Sequence, residues 1–336
     1  MKTKSILLLL GLVLLVSACA HRSVSYKALP GISGMWPLDG RSLLTVHDKK
    51  HPDAPGSYLG VLELRCHASE LFMAERSYNV PVFAYKPLAV SSRVMDVRSI
   101  NDMEACCPLP GGAKAFLLAE SGYYKGKGGR IFAARITPTG ATGWRAEISR
   151  AFYSNLQELG PAPGVTPGYA NIEGMACMER PDGTLILVLA LRGGRKKGVE
   201  HPARLVWGRL DLQAPVPFER LGHADLRAHA PGCDRLCCDM VLIHGQKGYQ
   251  VLAVAAMDKG NAGPFRSFIY RAGRFVLDKA VRYEPSEPLP LWTVDGVKVE
   301  ALAPLGPGGS MYCAGSDDED YGGLWRILPQ ADTPTH

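Results

Sequence analysis

The chain has 336 residues, 46% of them hydrophobic, and its 38 Lys and Arg against 32 Asp and Glu give a formal net charge of +6. This excess is small and dispersed, which argues against a nucleic-acid-binding protein. After residue 19 the longest uninterrupted apolar run, Leu185 to Leu191, is far too short to cross a bilayer as a helix.

The first 19 residues have the pattern of a signal peptide. Lys2 and Lys4 precede an apolar stretch that is followed by small residues. The stretch from Val16 to Cys19 resembles the lipobox of bacterial lipoproteins, which implies lipidation of Cys19 and a membrane anchor. Ala20 is not the aspartate of inner-membrane retention, so we expect an outer-membrane lipoprotein of the cell envelope. Cleavage beside a small residue without lipidation is the alternative.

Eight cysteines follow Cys19, and an even number in an oxidising compartment favours disulfides. Their pairing cannot be chosen from spacing. The weaker alternative is a metal site at Cys233, Cys237 and Cys238, since no Cys-x2-Cys pair with a matching second half accompanies them. The sequence therefore predicts disulfides without assigning them.

One sequence plan occurs five times along the chain. Its clearest copies are NIEGMACMERPDGTLILVLALRGG from Asn171 and KVEALAPLGPGGSMYCAGSDDED from Lys298. Each copy has a leading polar residue, an apolar run, a turn, a second apolar run and then charge. The leading positions recur at intervals of 61 to 71 residues and are Ser33, Glu104, Glu173, Asp239 and Glu300.

The repeated segments are short, rich in Val, Ile, Leu and aromatic residues, and joined by Gly-containing turns, which is typical of strands in hairpins. Repeats too small to bury a core alone predict an all-β fold, a single β-propeller with five blades of four antiparallel strands. A sixth, diverged blade and a two-sheet sandwich are the alternatives. We expect a signal peptide at 1–19, a tether at 20–30, the propeller at 31–330 and a tail at 331–336.

Strand direction predicts that both charged positions of each repeat lie on one face of the propeller. Because first strands line the axis, the leading acids would surround the central channel. Such a ring suits a hard divalent ion such as Ca²⁺, or else the acids bind backbone N–H groups of adjoining blades. The candidate metal ligands are Glu104, Glu173, Asp239 and Glu300.

The second charged positions and the loops that follow them form a candidate ligand site. Basic side chains beside glycines suit phosphate or carboxylate groups, and solvated surface loops are the alternative. The candidate ligand-binding residues are Asp48, Glu120, Lys125, Lys127, Arg192, Arg195 and Asp258.

The chain resembles an uncharacterised bacterial family of secreted propeller-like domains akin to the esterase-like and phytase-like propellers. The resemblance lies in Asn171 to Met175, Leu189 to Gly194 and Ser316 to Glu319. It implies a calcium-dependent phosphoester hydrolase in which Asp317 and Asp318 are catalytic. Ser33 in place of an acid and Arg192 within the second charged set depart from that pattern.

Two functions follow as expectations. The first is a monomeric envelope lipoprotein whose propeller binds a small anionic ligand or a partner protein through its charged face. The alternative is a divalent-metal-dependent phosphoester hydrolase, with the metal lowering the pKa of bound water.

Overall fold

A computed structural model describes residues 29–48, 58–64, 83–111, 114–122, 129–140, 143–153, 171–196, 199–227, 232–305 and 311–328. Strands dominate these ranges, and none of their residues forms an α-helix. The predicted signal peptide, Cys19 and most of the predicted tether lie outside the described residues. Within the described part, no helix is long and apolar enough to cross a membrane.

Twenty-two strands build five blades of antiparallel sheet. The first two blades use the first nine strands, of which β5 pairs in parallel with β9. Blade 1 contains β1 (Gly34–Pro37), β2 (Ser42–Val46), β3 (Leu59–Leu64) and β4 (Phe83–Pro87). Blade 2 contains β5 (Ala89–Ser92), β6 (Met103–Pro108), β7 (Ala115–Glu120), β8 (Arg130–Thr139) and β9 (Gly143–Tyr153).

Blades 3 to 5 follow the same order, with an extra hairpin, β12 and β13, attached to blade 4. Blade 3 contains β10 (Ile172–Glu179), β11 (Leu185–Leu191), β14 (Ala203–Leu210) and β15 (Phe218–Leu226). Blade 4 contains β12 (Gly194–Lys196), β13 (Val199–His201), β16 (Arg235–Gly245), β17 (Gly248–Asp258), β18 (Phe265–Leu277) and β19 (Val281–Asp295). Blade 5 has three described strands, β20 (Val299–Leu305), β21 (Met311–Ser316) and β22 (Trp325–Leu328).

The first strands of the five blades close into a ring around one axis. Strand β1 contacts β6, β6 contacts β10, β10 contacts β16, β16 contacts β20, and β20 returns to β1. Blade 5 is tied to the start of the chain because Gly323 pairs with Leu29 and the Ile32 N–H donates to the Ser316 carbonyl at 2.8 Å. The structure therefore confirms the five-bladed propeller and leaves no place for a sixth blade or a sandwich.

Each junction between neighbouring blades holds its own apolar cluster. Successive side chains of a strand point to opposite faces of its sheet, so every central strand serves two junctions. In β11, Leu187 and Leu189 pack towards blade 2, whereas Ile186 and Val188 pack towards blade 4. This double burial explains why so apolar a run as Leu185–Leu191 forms a strand rather than a helix.

The first strands approach each other so closely that glycine is required at one of the repeated positions. A Cβ atom added to Gly174 in β10 would lie 2.6 Å from the backbone nitrogen of Met240 in β16. Both atoms belong to backbones fixed in sheets, so neither can move alone. The glycine after the leading acid of blade 3 is thus required for the packing of β10 against β16 of blade 4.

Replacing Gly174 by alanine is expected to lower the free energy of unfolding by about 1 to 3 kcal/mol, the usual cost of overpacking. Denaturant unfolding monitored by tryptophan fluorescence would measure the change. Gly245→Ala is the matched control, because the nearest atom to its added Cβ is 3.6 Å away. Equal stability of the two variants would contradict the close approach of β10 and β16.

Candidate functional site

The leading acids of blades 2, 3 and 5 lie at breaks in the register of the first strands. Pairing of β6 with β7 passes from Met103 to Ala105, so Glu104 is the extra residue. Glu173 and Glu300 are skipped in the same way in β10 and β20. A β-bulge redirects a side chain that would otherwise follow the pleat. The bulges therefore explain how acids within apolar strands reach the polar end of the channel.

These acids are buried and close enough across the axis to influence one another. Glu104, Glu173 and Glu300 are 6%, 1% and 4% exposed. Burial raises the pKa of Glu104 well above its usual value, and the charges of Glu173 and Glu300 raise it further. Residues from three blades thus share one electrostatic environment, which we call the axial site.

Arg192, at the end of the second strand of blade 3, is paired with the leading acid of its own blade. Its Nε and Nη2 atoms lie 2.6 Å and 2.5 Å from Oε1 of Glu173. Burial raises the pKa of Glu173, although Arg192 and Arg235 act in the opposite direction. Arg192, the basic residue among the second charged positions, is therefore the counterion of the leading acid Glu173.

Arg235, the first residue of β16, connects blades 4 and 5. Its Nη1 lies 2.8 Å from Oε1 of Glu300, and its Nη2 lies 2.6 Å from Oδ2 of Asp258. Burial raises the pKa of Asp258, but Arg235 and Lys298 lower it more, so the net pKa is below the usual value. Asp258 is consequently held as a carboxylate by this arginine.

Lys298 is a second buried cation in the axial site. Its Nζ lies 2.5 Å from Oε1 of Glu319 and 3.2 Å from Oε1 of Glu300. Burial lowers the pKa of Lys298, but the charges of Glu300 and Asp317 and the hydrogen bond to Glu319 together raise it, so the pKa ends above its usual value. Glu300 is thus paired with two cations from two different strands.

The carboxylates of Asp239 and Asp318 accept hydrogen bonds from backbone N–H groups. Asp239 accepts hydrogen bonds from the N–H groups of Met240 at 2.7 Å and Leu302, in the adjoining blade, at 2.6 Å. Asp318 accepts from the Lys298 N–H and the Ser316 hydroxyl, both at 2.7 Å. These contacts match the structural alternative that the sequence left open for the acids.

Asp317 is a carboxyl group of this region whose pKa lies near neutral pH. Burial, followed by the negative charge of Glu300, raises its pKa to about 6. Its Oδ1 accepts a hydrogen bond of 3.2 Å from the Glu319 N–H. It also lies directly against Gly31, where an added Cβ would sit within 3 Å of the carboxylate. Asp317 therefore combines a raised pKa with a fixed position beside Glu300.

A further acidic group occupies the junction of blades 1 and 2. One oxygen each of Asp48, Asp102 and Glu104 lie within 4.8 Å of one another. Asp102 has a left-handed backbone with φ of 54°, and its Oδ2 accepts a hydrogen bond from the Ser121 hydroxyl. Within the described ranges, these three residues are the only His, Cys, Asp and Glu cluster with the spacing of metal ligands.

The remaining predicted ligand residues are either paired or outside the description. Glu120 is fully buried and bound by Arg130, whose Nη2 lies 2.6 Å from Oε1 and whose Nε lies 2.9 Å from Oε2. Lys125 and Lys127 lie outside the described residues, as does the side chain of Arg195. Of the basic residues predicted to bind a ligand, Arg192 is therefore the one whose side chain the structure describes.

The sequence reasoning missed several charged residues of the axial site. Arg235 precedes the Cys238 at which the fourth copy was aligned, and Lys298 was read only as the first letter of the fifth copy. A signal was present in both cases, since each cation stands just before an apolar first strand. The missed members are Asp102, Arg235, Lys298 and Glu319.

The thiols in the described part of the chain do not follow the disulfide prediction. Six are free, namely Cys106, Cys107, Cys177, Cys233, Cys237 and Cys238. Most are buried in the apolar clusters, where free cysteine behaves as a small hydrophobic residue. Cys66 lies outside the described residues. Cysteine therefore contributes to packing of the blades at these six positions.

Comparison with solved structures finds proteins of similar architecture. An endo-1,4-β-xylanase from Bacteroides thetaiotaomicron superposes with a TM-score of 0.50 and 11% identity over 93% of this chain and 94% of that chain. A thermostable family-43 glycoside hydrolase gives 0.48 and 12% over 92% and 96%. An α-L-arabinofuranosidase from Lactobacillus brevis gives 0.44 and 7% over 90% and 92%.

The chain shares its propeller fold with these enzymes. At such low identities the likeness concerns the fold alone. No family model matches the sequence, and no curated protein matches it. The resemblance to esterase-like and phytase-like propellers is therefore supported only as far as the propeller, and the lipoprotein signal remains a prediction.

Proposed function

We propose that the axial site hydrolyses a glycosidic bond, with Asp317 and Glu300 as the two carboxyl groups. The observation that carries the proposal is their contrast in environment. Asp317 has a pKa of about 6, whereas the neighbouring Glu300 is paired with Arg235 and Lys298. Glycoside hydrolysis needs one carboxyl group that donates a proton and another that acts as a carboxylate.

The proposed roles follow from these contacts. Asp317 donates its proton to the leaving-group oxygen as the C–O bond breaks. Glu300 acts on the anomeric carbon directly or through a water molecule, and the elements of water complete the products. Arg235 and Lys298 hold Glu300 in place through their ion pairs. The four residues therefore divide into an acid, a carboxylate and two positioning cations.

The charge of the axial site favours an uncharged substrate. Its described cations are Arg192, Arg235 and Lys298, and each is already paired with at least one carboxylate. An incoming phosphate would have to displace those carboxylates and would meet their negative charge. A carbohydrate offers hydroxyl groups that can hydrogen-bond to both charged partners without adding charge.

The loop after Asp317 provides a second feature suited to a sugar. Tyr321 belongs to the short 3-10 turn Glu319–Tyr321 and is 64% exposed. An exposed aromatic ring offers a flat apolar face together with a polar hydroxyl. The turn begins two residues after Asp317, so a sugar held against Tyr321 would be near the proposed acid.

The comparison with solved structures supports this proposal only through the fold. A xylanase is built on a propeller of the same kind, so the fold can host carbohydrate hydrolysis. The chemistry proposed for this chain rests on Asp317 and Glu300.

Binding of a small anionic ligand or a partner protein is the second candidate. The guanidinium side chains of Arg192 and Arg235 remain 26% and 18% exposed despite their ion pairs. Phosphoester hydrolysis with Asp318 as a catalytic group is less well supported, since Asp318 is 3% exposed and engaged with backbone and Ser316. Under either function we retain the proposal of a lipid-anchored envelope protein.

Incubation of the purified full chain with a panel of aryl glycosides and polysaccharides tests the proposal. We expect turnover of at least one glycoside and a loss of 10²-fold or more in Glu300→Gln, because a carboxylate essential to the reaction is removed. Aryl phosphates and phosphodiesters form the comparison panel. Turnover of phosphoesters alone, or no glycoside turnover by folded protein, would overturn the glycosidase proposal.

Asp320→Asn is the matched control for this assay. Asp320 is exposed on the same loop, so its replacement changes the local charge without touching Glu300. We expect its turnover to equal that of the original chain. A thermal unfolding curve for each variant separates lost chemistry from lost folding.

A further inference from the structure

The junction of blades 1 and 2 contains a buried carboxylate that forms no ion pair with a described residue. Glu104 is 6% exposed. Among the described residues it forms no ion pair like those of Glu173 and Glu300, and the Arg192 guanidinium, which is paired with Glu173, interacts with it at longer range. Leaving a buried charge unpaired is costly. The site therefore calls for a bound positive species or a retained proton.

Two other carboxyl groups converge on Glu104 from different segments. Asp48 follows the second strand of blade 1, and Asp102 precedes the first strand of blade 2. One oxygen from each of the three lies within 4.8 Å of the others. Two ligands about 2.4 Å from one calcium ion can be at most about 4.8 Å apart, so every pair of these oxygens meets the spacing that a shared ion requires.

Ser33 is an independent observation at the same junction. Its side chain is fully buried, and its Oγ has no hydrogen-bond partner among the described residues. Its N–H donates to Val46, two residues before Asp48. The next residue, Gly34, lies against the backbone of Glu104, where an added Cβ would be 3.2 Å from the carbonyl oxygen. An unsatisfied hydroxyl thus stands between the strands that bring Asp48 and Glu104 together.

We propose that Asp48, Asp102 and Glu104 bind one calcium ion that ties blade 1 to blade 2. The ligand set is all oxygen and includes no His or Cys, which fits a hard cation rather than zinc. This site differs from the predicted ring of four leading acids, because Glu173 and Glu300 have cationic partners and Asp239 binds backbone N–H groups. It is separate from the proposed Asp317 and Glu300 pair.

Hydrogen bonds between Asp102 and Ser121 support the role of Asp102 as a calcium ligand. The Ser121 hydroxyl donates to Oδ2 of Asp102, and the Ser121 N–H donates to the Asp102 carbonyl at 2.8 Å. Hydrogen bonds of this kind orient a metal-binding carboxylate. Ser121 in turn accepts the Ile172 N–H at its carbonyl, at 2.7 Å. The position of Asp102 is therefore linked to blade 3 as well.

Isothermal titration of the chelator-treated full chain with calcium chloride tests the proposal. We expect one ion per chain and a rise in Tm of about 5 °C at a calcium concentration a hundredfold above the Kd. Glu104→Gln and Asp48→Asn should lose both effects, and Asp320→Asn should keep them. Glu104→Asp keeps the charge but withdraws the oxygen by one methylene, so its Kd should rise at least tenfold.

Two results would overturn the site. The first is a folded chain that binds no calcium and shows no change in Tm, which would mean that Glu104 retains a proton instead. The second is calcium binding of unchanged affinity in Glu104→Asp, which would place the ion elsewhere. Since the original chain and the charge-conserving variant decide the outcome, failure of Glu104→Gln to fold would not affect it.

Discussion

Replacing Arg235 by methionine is expected to lower the free energy of unfolding by about 3 to 5 kcal/mol at pH 7. The guanidinium group is paired with Glu300 at 2.8 Å and Asp258 at 2.6 Å, and these side chains are 5% and 12% exposed. Methionine preserves much of the apolar stem but removes the charge. Two buried carboxylates would then share Lys298 as their remaining described cation. Urea unfolding at several pH values would measure the loss.

The pH dependence of this loss has a definite sign. Arg235 helps to lower the folded-state pKa of Asp258, so the stabilisation is present above the usual aspartate pKa of about 4 and disappears as pH falls through the folded value. The deficit of Arg235→Met should therefore be largest at pH 7 and smaller at pH 3. Arg266→Met is the control, because Arg266 and its partner Asp295 are 49% and 68% exposed. That surface pair is expected to contribute no more than about 1 kcal/mol, and an equal loss in both variants would contradict the proposed importance of burial.

The repeat and the fold could be predicted because they depend on local, periodic features. Because both faces of a central strand are buried, its residues form a continuous apolar run such as Leu185–Leu191. Gly-containing turns fix where each hairpin reverses. The leading acids of blades 2, 3 and 5 were also located correctly, at the second residue of their first strands, whereas Asp239 lies inside β16. Each of these features is determined within one repeat, so a single sequence contains the information.

The partners of the charged residues could not be predicted because they belong to different repeats. Glu300 is paired with Arg235 across 65 positions, and Asp239 accepts the N–H of Leu302 across 63. The bulges that turn Glu104 and Glu173 out of the pleat leave no mark in an apolar-polar pattern. Which acids bind a metal, which bind cations and which bind backbone is therefore decided by the circular arrangement of blades, not by any one strand.

The axial site consequently has two halves with different electrostatics. On the side of blades 3 to 5, the cations Arg192, Arg235 and Lys298 neutralise most of the carboxylates. On the side of blades 1 and 2, burial raises the pKa of Glu104, and the charges of Glu173, Asp48 and Asp102 raise it further. A cation bound by Asp48, Asp102 and Glu104 would neutralise this half, as the three basic side chains neutralise the other half. Asp317 lies on the side of blades 3 to 5, where burial and the charge of Glu300 raise its pKa to about 6.

Asp317→Asn is expected to reduce glycoside turnover by 10²- to 10⁴-fold, the usual contribution of a general acid. Asparagine has nearly the same shape and can still accept the hydrogen bond from the Glu319 N–H, but it cannot donate a carboxylic proton. In the original chain, turnover should fall as pH rises above about 6, because the acid form of Asp317 is lost. That limb of the pH profile should be absent from the residual activity of the variant.

The same substitution should stabilise the fold above pH 6, and this gives a test that does not depend on knowing the substrate. The folded-state pKa of about 6 exceeds the usual aspartate value of about 4, so the stabilisation from a protonated Asp317 is fully present below pH 4 and is lost as pH rises through 6. Asparagine stays neutral and avoids that loss. The Tm of Asp317→Asn should therefore exceed that of the original chain at pH 8 and approach it at pH 4, whereas Asp320→Asn, on the exposed part of the loop, should show no such pattern. A variant that is less stable at pH 8 would mean that Asp317 is needed as a charged structural group, and the proton donor would have to be sought elsewhere in the axial site.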